Sequence, residues 1–324
     1  MAPHNRPDKV IGVGFACIDQ LIRWRSVGQP VDDNEVLDYD LQGGGMTATA
    51  MVAVTRLGGR AEFWGAVGDG PMGEILLDQL RCESVDVTQS VSVADSDGPV
   101  YLVCVDSPTG ERLFYCGQAV PDPPEPIGDL ERLATANCLL IDGSRSDSAI
   151  RAAREARRLG IPVVGDVGGI SATMETLLPL MDYAIASEQC ARSLGAGEDH
   201  QAACRMIEER GPEVAVVTLG QKGLAALNTD RFITMPAFDV DVVDTTGAGD
   251  VFHGAFCLGL CRGLQLESNL SFAAAVAAIS CTKLGGRAGI PNMSETIAFL
   301  QTNDPAFDRE QLEMLQAGEG LKET

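Results

Sequence analysis

Residues 244–256 read Asp-Thr-Thr-Gly-Ala-Gly-Asp-Val-Phe-His-Gly-Ala-Phe. Two carboxylates, Asp244 and Asp250, bracket a glycine-rich turn, and an apolar run follows at once. Ala248, Val251, Phe252, Ala255 and Phe256 recur at helical spacing, which predicts a helix beginning near Gly247. Gly247, Ala248 and Gly249 carry so little side chain that a ligand can approach their backbone closely. The free N–H groups of a helix start favour a phosphate through geometry and dipole together. Asp250 falls in the first turn, beside that anion site. A carboxylate there can take the proton of an attacking hydroxyl while the amides hold the growing negative charge. The pattern points to phosphoryl transfer. The competing reading is a tight turn before a buried helix, with Asp250 favoured only by the helix dipole.

The elements that must position this stretch alternate. From residue 138 onward the sequence predicts strands at 139–141, 162–165, 183–186 and 214–219, with helices at 148–159 and 201–209 between them. Apolar strands alternating with helices imply a mostly parallel sheet covered on both faces, an α/β three-layer sandwich. Ligands bind past the carboxyl ends of such strands, where Asp142, Asp166, Ser187 and Gly220 fall. Earlier in the chain, 9–14, 36–41 and 62–67 read as strands, and 46–57 and 73–80 as helices. Pro99–Val105 and Glu111–Tyr115 read as a hairpin about the turn Asp106-Ser107-Pro108-Thr109-Gly110. That hairpin (97–117) and residues 20–42 are expected to form a small β lid on a single domain of residues 9–303. Residues 1–8 and 304–324 are expected to be flexible ends.

Bulk properties narrow the function. A net charge of −22 over 324 residues argues against binding nucleic acid or an anionic membrane by charge. No apolar run approaches the roughly 20 residues of a membrane span, and the first residues lack the apolar core of a signal peptide. The ten cysteines are scattered, with no Cys-x-x-Cys pair, which fits reduced thiols in a cytoplasmic protein. No Gly-x-x-x-x-Gly-Lys-Ser/Thr loop is present, and Gly12-x-Gly14 lacks its third glycine because residue 17 is cysteine.

The thirteen residues from Asp244 resemble the signature of the ribokinase-like carbohydrate kinases, the phosphofructokinase B type, and the resemblance runs over residues 9 to 300. It implies an ATP- and Mg2+-dependent sugar kinase, with Asp250 as base and Gly247, Ala248 and Gly249 as the anion hole. Gly43-Gly44-Gly45 resembles the family's sugar-contacting signature, and Asp19 its carboxylate on substrate hydroxyls. Thr218, Gly220 and Gly223 stand where the family places its nucleotide loop. By the same resemblance, Asp244, Thr246, Ser280, Lys283, Gly285 and Gly289 would supply an optional K+ site of the kind that suits a hard cation. Three departures stand out. Ala48 replaces the usual Asn, and ribokinases proper carry Lys near Gly45. The magnesium-organising Asn-x-x-Glu element reads Ser187-Glu188-Gln189-Cys190, which leaves Glu188 as a partial substitute acting through water. Residues 236–256 and 285–291 look most like the sulfofructose kinase branch; such a substrate would need cations, with Arg23, Arg25, Arg112 and Arg145 as candidates. The acceptor class stays open among a ketose, a sugar phosphate and a sulfosugar. A nucleoside or vitamin kinase and a non-catalytic binding relative are the alternatives. The exposed face of a β lid invites pairing, so a homodimer is expected.

Overall fold

The computed structural model describes residues 8–25, 36–106 and 112–317. Fourteen strands and ten helices are assigned among them. The strands are β1 (Lys9–Val13), β2 (Cys17–Trp24), β3 (Val36–Gly44), β4 (Arg60–Trp64), β5 (Ala66–Gly68), β6 (Val91–Val93), β7 (Val100–Asp106), β8 (Arg112–Cys116), β9 (Cys138–Ile141), β10 (Val163–Val167), β11 (Tyr183–Ser187), β12 (Val214–Thr218), β13 (Leu224–Asn228) and β14 (Arg231–Met235). The helices are α1 (Met46–Arg56), α2 (Pro71–Cys82), α3 (Ser146–Leu159), α4 (Ala172–Leu177), α5 (Glu188–Ser193), α6 (His200–Glu208), α7 (Ala248–Cys261), α8 (Leu266–Ser280), α9 (Met293–Asn303) and α10 (Arg309–Ala317).

One eight-stranded sheet, in the order β14-β13-β12-β11-β10-β9-β1-β4, forms the centre. Its strands are parallel from β12 through β4, and β13 and β14 add on antiparallel. Both faces are buried, because successive residues of a strand point to opposite sides. Val10 joins the core beneath α1, α7 and α8, while Ile11 and Val13 join the core beneath α3, α4 and α6. Cys138 and Leu140 divide from Leu139 and Ile141 in the same way. This is the three-layer arrangement that the alternation implies. The small residues of α1 have a packing reason: Gly254 of α7 lies against the Ala50 carbonyl, where no Cβ fits.

A second sheet, β3-β2-β7-β8, stands apart from the first. The antiparallel pairing of β7 and β8 matches the predicted hairpin; its turn, residues 107–110, lies outside the described residues. The sheet includes β2, which the sequence reading did not single out as a strand. Strand β3 runs on to Gly44, so Gly43 and Gly44 are strand rather than turn.

The expectation of a flexible end from residue 304 needs correction over the described part. Leu315 of α10 is fully buried, Gln311 is buried, and Arg262 donates to the Leu315 carbonyl at 2.7 Å. Asp8 is also tied in, accepting from Arg262 Nε at 2.9 Å. Alternating acids and apolar residues in 309–317 read as a weak tail in sequence, yet they make one amphipathic turn after another against α9. Residues 1–7 and 318–324 lie outside the described residues. None of the ten cysteines is bridged.

Candidate active site

Helix α7 starts where the spacing predicts. Gly247 is its N-cap with φ 71°, a left-handed conformation that glycine adopts without strain. A Cβ here would press on Gly286 of the loop that follows α8. Gly249 differs, since a Cβ there would meet nothing within 4 Å. Its backbone therefore opens onto free space rather than onto packed protein. The space belongs to a cleft of about 370 Å3 lined by Thr218, Gly220, Gly223, Phe238, Val242, Ala248 and Gly249, among others. The fold thus brings the 218–223 loop, at the end of β12, beside the glycine turn of α7. Gly220 and Gly223 both have positive φ, and Gly223 is further required by close backbone of residues 235–237. A larger cleft of about 530 Å3 lies beyond Phe238, beside α8 and residues 303–307, and contains none of the motif.

On the other side of Asp250 stand carboxylates from separate strands. Asp19 comes from β2, Asp142 follows β9, and Asp166 lies in β10. Asp142 is fixed: its Oδ2 accepts from Phe15 N and Thr47 Oγ1, each at 2.7 Å, and Oδ1 accepts from Ser144 N at 2.9 Å. Asp250 has a proton affinity pushed well above the usual carboxylate value, first by burial and then by Asp166, Asp142 and Asp19, with Arg287 pulling the other way. Burial likewise raises Asp19, opposed by its bond from Cys17 and by Arg287. A raised carboxylate close to the working pH is what a general base needs.

The glycines at 43–45 are explained by what surrounds them. A Cβ on Gly44 would run into the Asp19 carboxylate, and one on Gly43 into the Arg287 guanidinium. Gly45 caps α1 at φ 92° against the backbone of Ala16. Arg287 is 5% exposed; its Nη2 donates to Gly44 O at 3.0 Å and its Nε to Thr49 Oγ1 at 3.3 Å. Burial lowers its pKa to about 10, while Cys17, Asp19, Glu83 and Asp250 hold the charge in place.

The lid arginines fare differently from the sequence expectation. Arg145 is buried, but its guanidinium donates to Val120 O, Asp122 Oδ1 and Ala66 O, which makes it a brace at the start of α3 rather than a substrate clamp. Arg23 lies 3.7 Å from Asp38 in an exposed pair, and the Arg112 side chain lies outside the described residues. The cation facing the carboxylates is Arg287. Glu188 is not aimed at the cleft as a lone acid: its Oε1 pairs with Lys222 and Arg192, each at 3.0 Å, and Lys222 chiefly lowers its pKa. Ser187 instead caps α5, accepting from Cys190 N at 3.2 Å.

Of the other cluster named from the sequence, Asp244, Thr246 and Gly285 are joined by hydrogen bonds, and Ser280 and Gly289 pack together. Asp244 is buried, with Oδ1 accepting from Thr246 N and Oδ2 from Gly285 N, each at 2.8 Å. Gly289 packs on the Ser280 carbonyl, where a Cβ could not fit. Lys283 is exposed on the same loop.

His253 was not singled out by the sequence reading. It lies inside the motif, is 5% exposed, and reaches Gly249 O through Nδ1 at 2.6 Å. Its position three residues after Asp250 was visible, but nothing in the sequence showed that Asp166 would face it.

The fold, the glycine turn and the carboxylate beside it place this chain in a class of phosphotransferases, and comparison with known proteins agrees. Residues 9–293 match the family model described as pfkB family carbohydrate kinase, and the chain belongs to that family. It is similar to ribokinase of Haemophilus influenzae, 28% identical over 272 residues, covering 82% of this chain and 89% of that one. It is 29% identical over 288 residues to aminoimidazole riboside kinase of Salmonella typhimurium, covering 81% and 89%. The crystal structure of a ribokinase from Thermotoga maritima superposes with a TM-score of 0.78 at 26% identity, covering 90% of this chain and 99% of that one.

Proposed function

We propose that this protein transfers the γ-phosphate of ATP to a hydroxymethyl group of a sugar or sugar derivative. The observation that carries the reading is Asp250 in the first turn of α7, beside the Gly249 backbone that opens onto free space. Asp250 takes the acceptor proton, the oxygen attacks in line, and the amides hold the charge that develops. The adenine end fits the apolar part of the cleft at Phe238, Val242 and Ala277, with Gly220 and Gly223 alongside. Asp19 and the Gly43–Gly45 backbone orient the sugar, and closure of the lid excludes water.

Magnesium fits as a passenger on the triphosphate. Among the described residues no group of three or more His, Cys, Asp or Glu side chains is disposed to hold a metal alone. When bound, it neutralises phosphate charge. A monovalent cation fits the loop around Asp244, whose carbonyl-rich backbone includes Ser280 and Gly289. The acceptor class is a ketose, sugar phosphate or sulfosugar, with Arg287 as the cation for an anionic one. The riboside kinase among the relatives favours a nucleoside as the second reading. A homodimer through the lid is supported by one cross-strand row, Tyr39, Ile22, Cys104 and Leu113, whose end members are exposed.

The test is ADP release by the purified protein across ketoses, sugar phosphates, sulfosugars and nucleosides. ATP-dependent turnover of at least one sugar well above the nucleosides is expected. Turnover confined to nucleosides would replace the sugar reading, and ATP binding without any turnover would replace both.

A further inference from the structure

His253 sits among acceptors. Nδ1 lies 2.6 Å from Gly249 O, while Nε2 lies 3.5 Å from Ile185 O and 3.7 Å from Asp166 Oδ1. A neutral imidazole has one N–H and one lone pair. If the hydrogen is on Nδ1, the lone pair of Nε2 faces a carbonyl and a carboxylate. If it is on Nε2, the lone pair of Nδ1 faces the Gly249 carbonyl at hydrogen-bond distance. Either arrangement sets acceptor against acceptor in a buried place, which is costly. One more proton removes the conflict, either on the ring as an imidazolium paired with Asp166 or on Asp166 donating to Nε2.

We propose that His253 and Asp166 share one proton beneath the catalytic carboxylate, so that His253 is a positioning residue for Asp250. The shared proton leaves the pair neutral overall. It also lets Nδ1–H hold the Gly249 carbonyl, fixing the turn whose amides face the phosphate. The electrostatic consequence is direct. Of the charges around Asp250, Asp166 raises its proton affinity most, ahead of Asp142 and Asp19. Cancelling the Asp166 charge keeps Asp250 able to ionise at the working pH. The groups that face this pair come from several elements. Asp142 follows β9, Cys190 comes from α5, and Asp250 from α7 itself, with Asp19 and Arg287 acting on Asp250 beyond. Burial first pushes Asp166 towards its protonated form, His253 pulls it back, and Asp142 adds to the push.

The functional part rests on Asp250 being the base; the proton count does not. The full-length protein, labelled with 15N at histidine, is therefore examined first without nucleotide or sugar. The sequence has three histidines, His4, His200 and His253, and the signal lost in His253→Gln identifies the third. At neutral pH its ring is expected to show either two protonated nitrogens or one N–H with the second nitrogen accepting a hydrogen bond, and Asp166→Asn is expected to change that state. A ring with one free nitrogen, indifferent to Asp166→Asn, would overturn the shared proton. The pH profile of kcat/KM then reads the positioning role. The acid limb should rise by on the order of one pH unit in His253→Gln, where Asp166 loses its partner, and stay where it is in Asp166→Asn, which leaves the pair uncharged as before. An acid limb that stays put in both folded variants would overturn the role, even with the shared proton observed. Absence of ADP release from the unaltered protein with every acceptor would instead indict the kinase reading, leaving the ring measurement standing.

Discussion

The two sides of Asp250 are built from different materials. The nucleotide side consists of backbone and small side chains: Gly220, Gly223, Ala248 and Gly249 around an apolar cleft. The acceptor side consists of charges from distant parts of the chain: Asp19 from β2, Asp142 after β9, Asp166 in β10 and Arg287 from the loop after α8. Backbone amides can cradle any triphosphate, so the nucleotide side needs only glycines at the right turn. The acceptor side must tell one sugar from another, and buried charged groups discriminate because an unmatched one is costly. On the function proposed above, reaction type resides in a short contiguous motif, and acceptor choice in long-range packing.

Substitutions should separate the two sides. The largest effect on binding is expected from Gly249→Val, which fills the open space beside the Gly249 backbone. ATP affinity should fall by about 100-fold or more, roughly 2.7 kcal/mol, measured by calorimetry, with acceptor binding retained. Equal loss on both sides would mean the cleft is not divided as described. Gly44→Ala drives a methyl into Asp19, and the acceptor KM should rise on the order of tenfold with the ATP KM unchanged. A shift in the ATP KM alone would reverse the assignment.

Proton affinity offers a finer probe. Because burial and neighbouring acids raise Asp250 in the folded protein, kcat/KM should fall with decreasing pH along a limb above the usual carboxylate range. A limb at an ordinary carboxylate pH would remove Asp250 as the titrating group. The same shift has a stability consequence. A carboxylate raised on folding favours the fold when protonated, and that contribution is lost as pH rises through the folded value. At neutral pH, Asp250→Asn should thus be more stable than the unaltered protein, a gain that fades towards acid in thermal melts. Destabilisation at neutral pH would contradict the raised value.

The same division explains what the sequence disclosed. The start of α7 and the positions of Asp142 and Asp166 towards the ends of their strands were legible because local spacing determines them. Arg287 and His253 were harder. In sequence Arg287 reads as a cation near the phosphates or a partner for one of the many acids, until β3 is placed beside it, and His253 reads as one polar residue on an apolar helix until β10 supplies Asp166. The strands β13 and β14 were not picked out, since their alternation is short and the turn between them, Thr229–Asp230, resembles any other polar break. Arg145 was misread for the converse reason: its charge suggested a ligand, whereas two backbone carbonyls and Asp122 hold its Nη1 and Nη2. Residues 304–317 looked like a tail because their apolar residues are few, yet Leu315 is enough to dock α10.

The central claim is that Asp250 is the base of a phosphotransfer carried out at the α7 amides. The most direct measurement is kcat of Asp250→Asn with the acceptor found by ADP release, paired with ATP affinity by calorimetry on the same sample. The account predicts a loss of about 1,000-fold or more in kcat, within the range of a removed general base, with ATP affinity unchanged within a few-fold. Near-full turnover in Asp250→Asn, with ATP bound normally, would contradict it.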